Sequence, residues 1–94
     1  MSVYVIASLT IKDLVRFEVY RRTVLPTMEK YSGRLVAHGS PIVLEGAWSR
    51  ERLIIGEFPS MERAQRWWGS PEYAEPKALR LATADSELVI VQGV

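Results

Sequence analysis

His38 is the only histidine in this chain of 94 residues, and the one side chain whose ordinary pKa lies near neutrality. It is therefore the first candidate for a general acid or base. Glu45 and Glu57 are candidate carboxylate bases, or partners to the histidine, if burial raises their affinity for a proton. Arg34 and Arg80 carry permanent charge on a forked donor that matches a carboxylate or enolate oxygen, which makes them candidate anchors for an anion. Trp48, Trp67, Trp68 and Tyr73 supply apolar surface for the wall of a ligand pocket.

Each of these residues also has a structural reading. A lone histidine beside Gly39 at a strand bend can be a half-exposed bend residue without a task. Glu57 can be consumed in an ion pair with Arg34 or Arg80, and those arginines can equally pair with Glu45 or Glu72. Aromatic residues at helical spacing are ordinary core material. Trp67 and Trp68 cannot share a helix face, because neighbours point more than a quarter-turn apart, so one is expected in the core and the other at a pocket rim or a partner chain.

Several chemistries are missing from the chain. With no cysteine and one histidine there is neither a disulfide framework nor a metal cluster, so no metal site and no cofactor are expected. Gly33, Gly39 and Gly46 form no phosphate-loop or dinucleotide pattern, and Ser8, Ser40, Ser49, Ser60 and Ser70 read as strand, turn or cap residues rather than nucleophiles. A formal charge of +1, with basic residues interspersed among acidic ones, favours neither nucleic acid nor an anionic membrane surface. No apolar run is long enough to span a bilayer, and Met1–Thr10 reads as a short apolar strand without a basic leader or a cleavage pattern, so a cytoplasmic location is the expectation.

The elements that must position these residues follow from local pattern. Val3–Ile11 is rich in β-branched residues and reads as a strand, and Asp13 is placed to cap a helix whose Phe17, Tyr20, Val24, Met28 and Tyr31 share one face. That stripe continues in phase across Pro26, which predicts a kinked single helix rather than two. Ser32-Gly33 ends it, with Gly33 expected in a left-handed conformation. Arg34–His38 reads as a strand that resumes over Ile42–Trp48 after a bend at Gly39-Ser40-Pro41. Arg52–Phe58 is the densest apolar run, and Ser60 caps a helix over Met61–Trp68. Ser70-Pro71 starts a single turn that Pro76 ends, a helix to about Thr83 follows, and Leu88–Val91 is the last strand.

The resulting βαββαβ order predicts one domain over residues 1–94, a ferredoxin-like α+β sandwich with helices on one face of a four-stranded antiparallel sheet. Strands one and three are apolar on both sides. The face without helices must then be covered, and packing two such sheets together gives a homodimeric α/β barrel. A short chain without disulfides points the same way, since it gains most from burying surface against a partner.

The motifs Tyr4-Val5-Ile6-Ala7, Tyr31-Ser32-Gly33-Arg34, Leu44-Glu45-Gly46 with Trp48, Glu57-Phe58-Pro59-Ser60, Ala64 with Trp67-Trp68, Ser70-Pro71-Glu72-Tyr73 and Leu79-Arg80 together resemble the uncharacterised DUF1330 group of the dimeric α/β-barrel superfamily. The resemblance runs over essentially the whole chain. Departures occur at Asp13-Leu14, where the family has Asp-Pro, at Ser32-Gly33, where it has Gly-Gly, and at Trp67-Trp68, where it has Trp-Tyr. His38-Gly39-Ser40 stands where members often have a basic residue followed by glycines, so a positive charge there becomes dependent on pH. The resemblance implies a small-molecule pocket between sheet and helices, as in the related cofactor-free monooxygenases, isomerases and haem-degrading proteins.

Two functional readings remain at this level. One is a small enzyme performing acid–base chemistry without a cofactor, with His38 and Glu45 moving protons and Arg34 or Arg80 holding an anion. The other is a non-catalytic binding or assembly dimer. The first places His38, Trp68 and Arg80 around one cavity together with Glu45 or Glu57.

Overall fold

The computed structural model describes all 94 residues. Its elements are β1 (Val3–Ile11), α1 (Leu14–Lys30), β2 (Arg34–Gly39), β3 (Arg52–Phe58), α2 (Met61–Trp68), α3 (Pro71–Thr83) and β4 (Ala84–Gln92). The strands form one antiparallel sheet in the order β2-β3-β1-β4, the ferredoxin-like arrangement.

Register fixes the two faces. Val3, Val5, Ala7 and Leu9 of β1 lie opposite Phe58, Gly56, Ile54 and Arg52 of β3, and opposite Gln92, Ile90, Leu88 and Ser86 of β4. These β1 residues are buried with Phe17, Tyr20 and Met28 of α1, Ala64 and Trp67 of α2, and Tyr73 of α3, so the helices cover this face. Tyr4, Ile6 and Ser8 point the other way, level with Glu57, Ile55 and Leu53 and with Val91, Val89 and Glu87. No helix lies over that face, and Val89 and Val91 remain exposed on it.

Helix starts follow the capping logic. The side chains of Asp13, Ser60 and Ser70 accept the backbone N–H of Arg16, Arg63 and Tyr73, respectively. α1 stays a single helix through Pro26, as its in-phase stripe predicts. Four expectations are corrected. The left-handed residue after α1 is Ser32, with φ 66°, and not Gly33. Gly33 is needed for space instead, since a Cβ there would come within 2.5 Å of the Phe58 ring. Ile42–Trp48 forms no strand. Because Gly39 already pairs with Leu53 at the start of β3, the residues beyond it have no strand left to pair with and become the connection, which leaves Ile42 and Leu44 exposed. α3 continues through Pro76, whose fixed φ suits a helix and whose missing N–H frees only the carbonyl of Glu72 in the first turn. β4 is longer than Leu88–Val91 because Ala84–Glu87 pair with β1.

Candidate functional site

Small residues on the covered face set the floor of a cavity. Ala7 on β1 and Gly56 on β3 leave the sheet low beneath α1, and a space of about 490 Å³ opens between them, well within the range of ligand pockets. Most of its lining is apolar, including Val5, Leu9, Phe17, Val24, Met28, Ile54, Trp67 and Leu88. Two polar regions interrupt the apolar wall. His38 lies on the edge strand β2 near the exposed Arg21 and Arg22 of α1, whereas Arg80 comes from α3 and reaches Ser86 at the start of β4. β2 and β4 are three strand spacings apart, about 14 Å. The cavity therefore crosses the sheet, its mouth between α1 and β2 and its inner end beneath α3.

At the inner end, Arg80 is only 2% exposed, and no carboxylate lies within ion-pairing distance of its guanidinium. Its Nη1 donates to Ser86 Oγ and its Nε to Tyr73 Oη at 3.4 Å. Tyr73 Oη in turn lies 3.2 Å from Tyr20 Oη, and Tyr20 lines the cavity. Burial above all, with the neighbouring Tyr73 second, pushes the Tyr20 hydroxyl well above its ordinary pKa, while Arg80 pulls the other way. Tyr20 is thus a protonated donor at any physiological pH. A buried cation without a counter-charge is costly, and the phenols offset that cost only in part.

The wall beside this end is an aromatic stack. Trp67 packs against Tyr73 at 4.1 Å and Phe58 at 5.3 Å between ring centroids, and its Nε1 donates to Thr27 Oγ1 at 3.0 Å. Phe58 fills the space left by the absent side chain at Gly33. The expectation that Trp68 shares the cavity with His38 and Arg80 is corrected, since the structure gives the inward place to Trp67. Trp68 is half-exposed, with Lys77 Nζ 4.2 Å above its ring and the Arg80 guanidinium carbon 5.9 Å from its centroid, outside the cavity lining.

At the mouth, the Nε2 of His38 is buried and has no hydrogen-bond partner. Burial first, then the charges of Arg21 and Arg52, hold the imidazole below its ordinary pKa of 6.5, with Glu18 pulling it upward. His38 is accordingly a neutral imidazole at pH 7, able to accept a proton if Nε2 is the unprotonated nitrogen.

The remaining candidates lie elsewhere. Glu57 is on the open face, where Arg34 contacts its Oε1 at 2.7 Å and hydrogen bonding from Ser2, then Arg34, holds its pKa below the ordinary range. Glu45 and Trp48 are exposed on the 40–51 connection. Tyr73 is fully buried and supports the cavity from behind through Tyr20 and Arg80. Tyr20 was legible in the sequence only as part of an apolar stripe. A tyrosine in such a stripe does carry a signal, since a buried hydroxyl needs a partner. No three His, Cys, Asp or Glu side chains come together as a metal-binding group.

Comparison with known proteins agrees with this fold. The family model DUF1330, a domain of unknown function, matches residues 2–94. No curated protein matches the chain. Among solved structures, the RPA0582 protein of unknown function from Rhodopseudomonas palustris aligns with TM-score 0.83 at 20% identity, over 99% of this chain and 82% of that one. SnoaB, a cofactor-independent oxygenase from Streptomyces nogalater, aligns with TM-score 0.73 at 15% identity, over 99% of this chain and 93% of its own. A dimeric ferredoxin-like protein of unknown function from Jannaschia sp. CCS1 aligns with TM-score 0.79 at 12% identity, over 99% and 100% of the two chains. At these identities the structural likeness establishes the fold alone. No helix is long and apolar enough to cross a membrane.

Proposed function

This chain belongs to the DUF1330 family, and we propose that it is a homodimeric enzyme that binds a small, mostly apolar molecule between sheet and helices and moves a proton at His38 without a cofactor. The observation that carries this reading is the unpartnered Nε2 of His38, a buried ring nitrogen at the mouth of a large apolar cavity. Native proteins satisfy most buried polar atoms, so one left open beside a cavity is well explained by a ligand that supplies its partner. A base of this kind removes a proton from an acidic C–H or O–H, leaving a carbanion or enolate for isomerisation or for reaction with oxygen. SnoaB shows that the fold accommodates cofactor-independent oxygenation in another protein.

The second copy belongs on the open sheet face. Ile6, Ile55, Val89 and Val91 form an apolar stripe there that no helix covers. The structural neighbour from Jannaschia is itself described as dimeric. Sedimentation at micromolar concentration should give a dimer, and a well-folded monomer would contradict this assembly.

Proton transfer is tested by incubating the protein with a panel of aromatic ketones and β-diketones in D₂O and following loss of the α-proton by NMR. Wild type should accelerate exchange, with a rate that falls as pH drops through the lowered pKa of His38, and His38→Asn should remove the acceleration. Ligand binding with no exchange in either protein would leave a non-catalytic binding dimer as the correct reading.

A further inference from the structure

The inner end of the cavity has a chemical preference of its own. Arg80 is buried, permanently charged and unmatched by any carboxylate of the chain. Its contacts with Ser86 and Tyr73 use Nη1 and Nε, and the guanidinium borders the cavity. Donors on this cation continue through the phenols. When Tyr73 Oη accepts from Arg80 Nε, its own O–H is polarised toward Tyr20 Oη, and the Tyr20 proton is then left to point into the cavity. Two kinds of donor thus converge on one end of an otherwise apolar space, where the guanidinium has only the neutral oxygens of Ser86 and Tyr73 as acceptors and no anion.

We propose that this end is an anion subsite, in which the Arg80 guanidinium and the Tyr20 hydroxyl together hold the carboxylate of a flat, apolar, aromatic carboxylic acid. The inference rests on the cavity being a ligand site, and it names the class of ligand. A carboxylate supplies the counter-charge that the fold omits, and its two oxygens suit a guanidinium fork flanked by a phenol donor. Aromatic rings suit the space beyond, where Trp67, Phe17 and Ile54 provide apolar walls and Ala7 and Gly56 a low floor. Anchoring the acid at Arg80 directs the body of the molecule across the sheet toward His38, so the subsite also sets which atom of the ligand meets the base.

Calorimetric titration of the intact protein with benzoate, 2-naphthoate and the neutral amides of both acids tests this. Wild type should bind the carboxylates at least about tenfold more tightly than the amides, the contribution expected of charge-assisted hydrogen bonds. Arg80→Met should abolish the preference, and Tyr20→Phe should reduce it several-fold while keeping the ring and the packing. Should Arg80→Met fail to fold, Tyr20→Phe carries the test alone. Amides binding as tightly as carboxylates to wild type would overturn the anion subsite and leave the cavity standing as a ligand site. A carboxylate preference undiminished in the folded variants would place the anion elsewhere and overturn the inference. Binding of neither class would overturn both it and the reading it rests on.

Discussion

The two ends of the cavity hold opposite kinds of polar group. At the inner end Arg80 is charged at every physiological pH and is gripped by Ser86 and Tyr73 beneath α3. At the mouth His38 sits on an edge strand with its Nε2 unpartnered and its charge suppressed by burial and by Arg21 and Arg52. A fixed charge held by its neighbours suits positioning. A neutral imidazole with a free nitrogen suits the exchange of a proton. On the function proposed above, a small sheet separates holding from reacting, with the first at the edge packed under α3 and the second at the edge that opens beside α1.

The largest expected effect breaks the inner end from behind. Gly33→Ala would drive a methyl into the Phe58 ring, which packs on Trp67 and through it on Tyr73. Rigid rings cannot yield, so the cost should be about 2–3 kcal/mol in urea unfolding. Gly56→Ala offers a matched control under the middle of the cavity. Its Cβ would come within 2.6 Å of the Met28 methyl, the flexible end of a thioether, and should cost less than about 1 kcal/mol. Equal costs at the two positions would contradict the stacked-wall account.

Arg80→Met has the next largest effect, and its sign is informative. If Arg80 is an uncompensated cation kept for a ligand, the ligand-free variant should be more stable by about 1 kcal/mol, because an apolar side chain replaces a poorly solvated charge. A clear loss of stability would make Arg80 a structural pin instead.

A smaller effect concerns how the helices bearing Tyr20 and Arg80 are tied together. Lys30 at the end of α1 and Tyr31 both bond to Glu72 at the start of α3. Lys30 first, then Tyr31, holds the Glu72 pKa at about 2, down from 4.5. A depressed carboxylate stabilises the fold above its unfolded value, and that contribution is lost as pH falls from about 4.5 through about 2. Melting temperatures of Glu72→Gln should therefore depend less on pH across that window than those of wild type. Parallel acid limbs would show that the pair is too solvated to matter.

Much of the scaffold was legible because its signals are local. The β-branched run Val3–Leu9, the Phe17–Tyr20–Met28 stripe and the doubly apolar β3 each declare their element within a few residues. Ile42–Trp48 misled because it opens on the apolar run Ile42-Val43-Leu44, which reads as a strand, whereas pairing depends on whether β3 still has a free stretch opposite it. The site was harder to read. His38 and Arg80 could be singled out by chemistry, but the choice between Trp67 and Trp68 depends on the phase of α2 against the sheet, which adjacent identical residues do not encode. The Tyr20–Tyr73 contact joins positions 53 residues apart and leaves no local signature. Glu45 and Glu57 were plausible carboxylates until the connection and the strand register placed them away from the cavity.

The central claim is that His38 offers a neutral, unoccupied nitrogen to a ligand in the cavity. Because it is the only histidine, its imidazole signals can be followed by NMR without ambiguity as pH is varied, with and without 2-naphthoate. The free protein should titrate below the ordinary value of 6.5, and ligand should shift the Nε2 resonance and move that pKa. A histidine titrating at or above 6.5, with signals unmoved by a ligand shown to bind, would contradict the account.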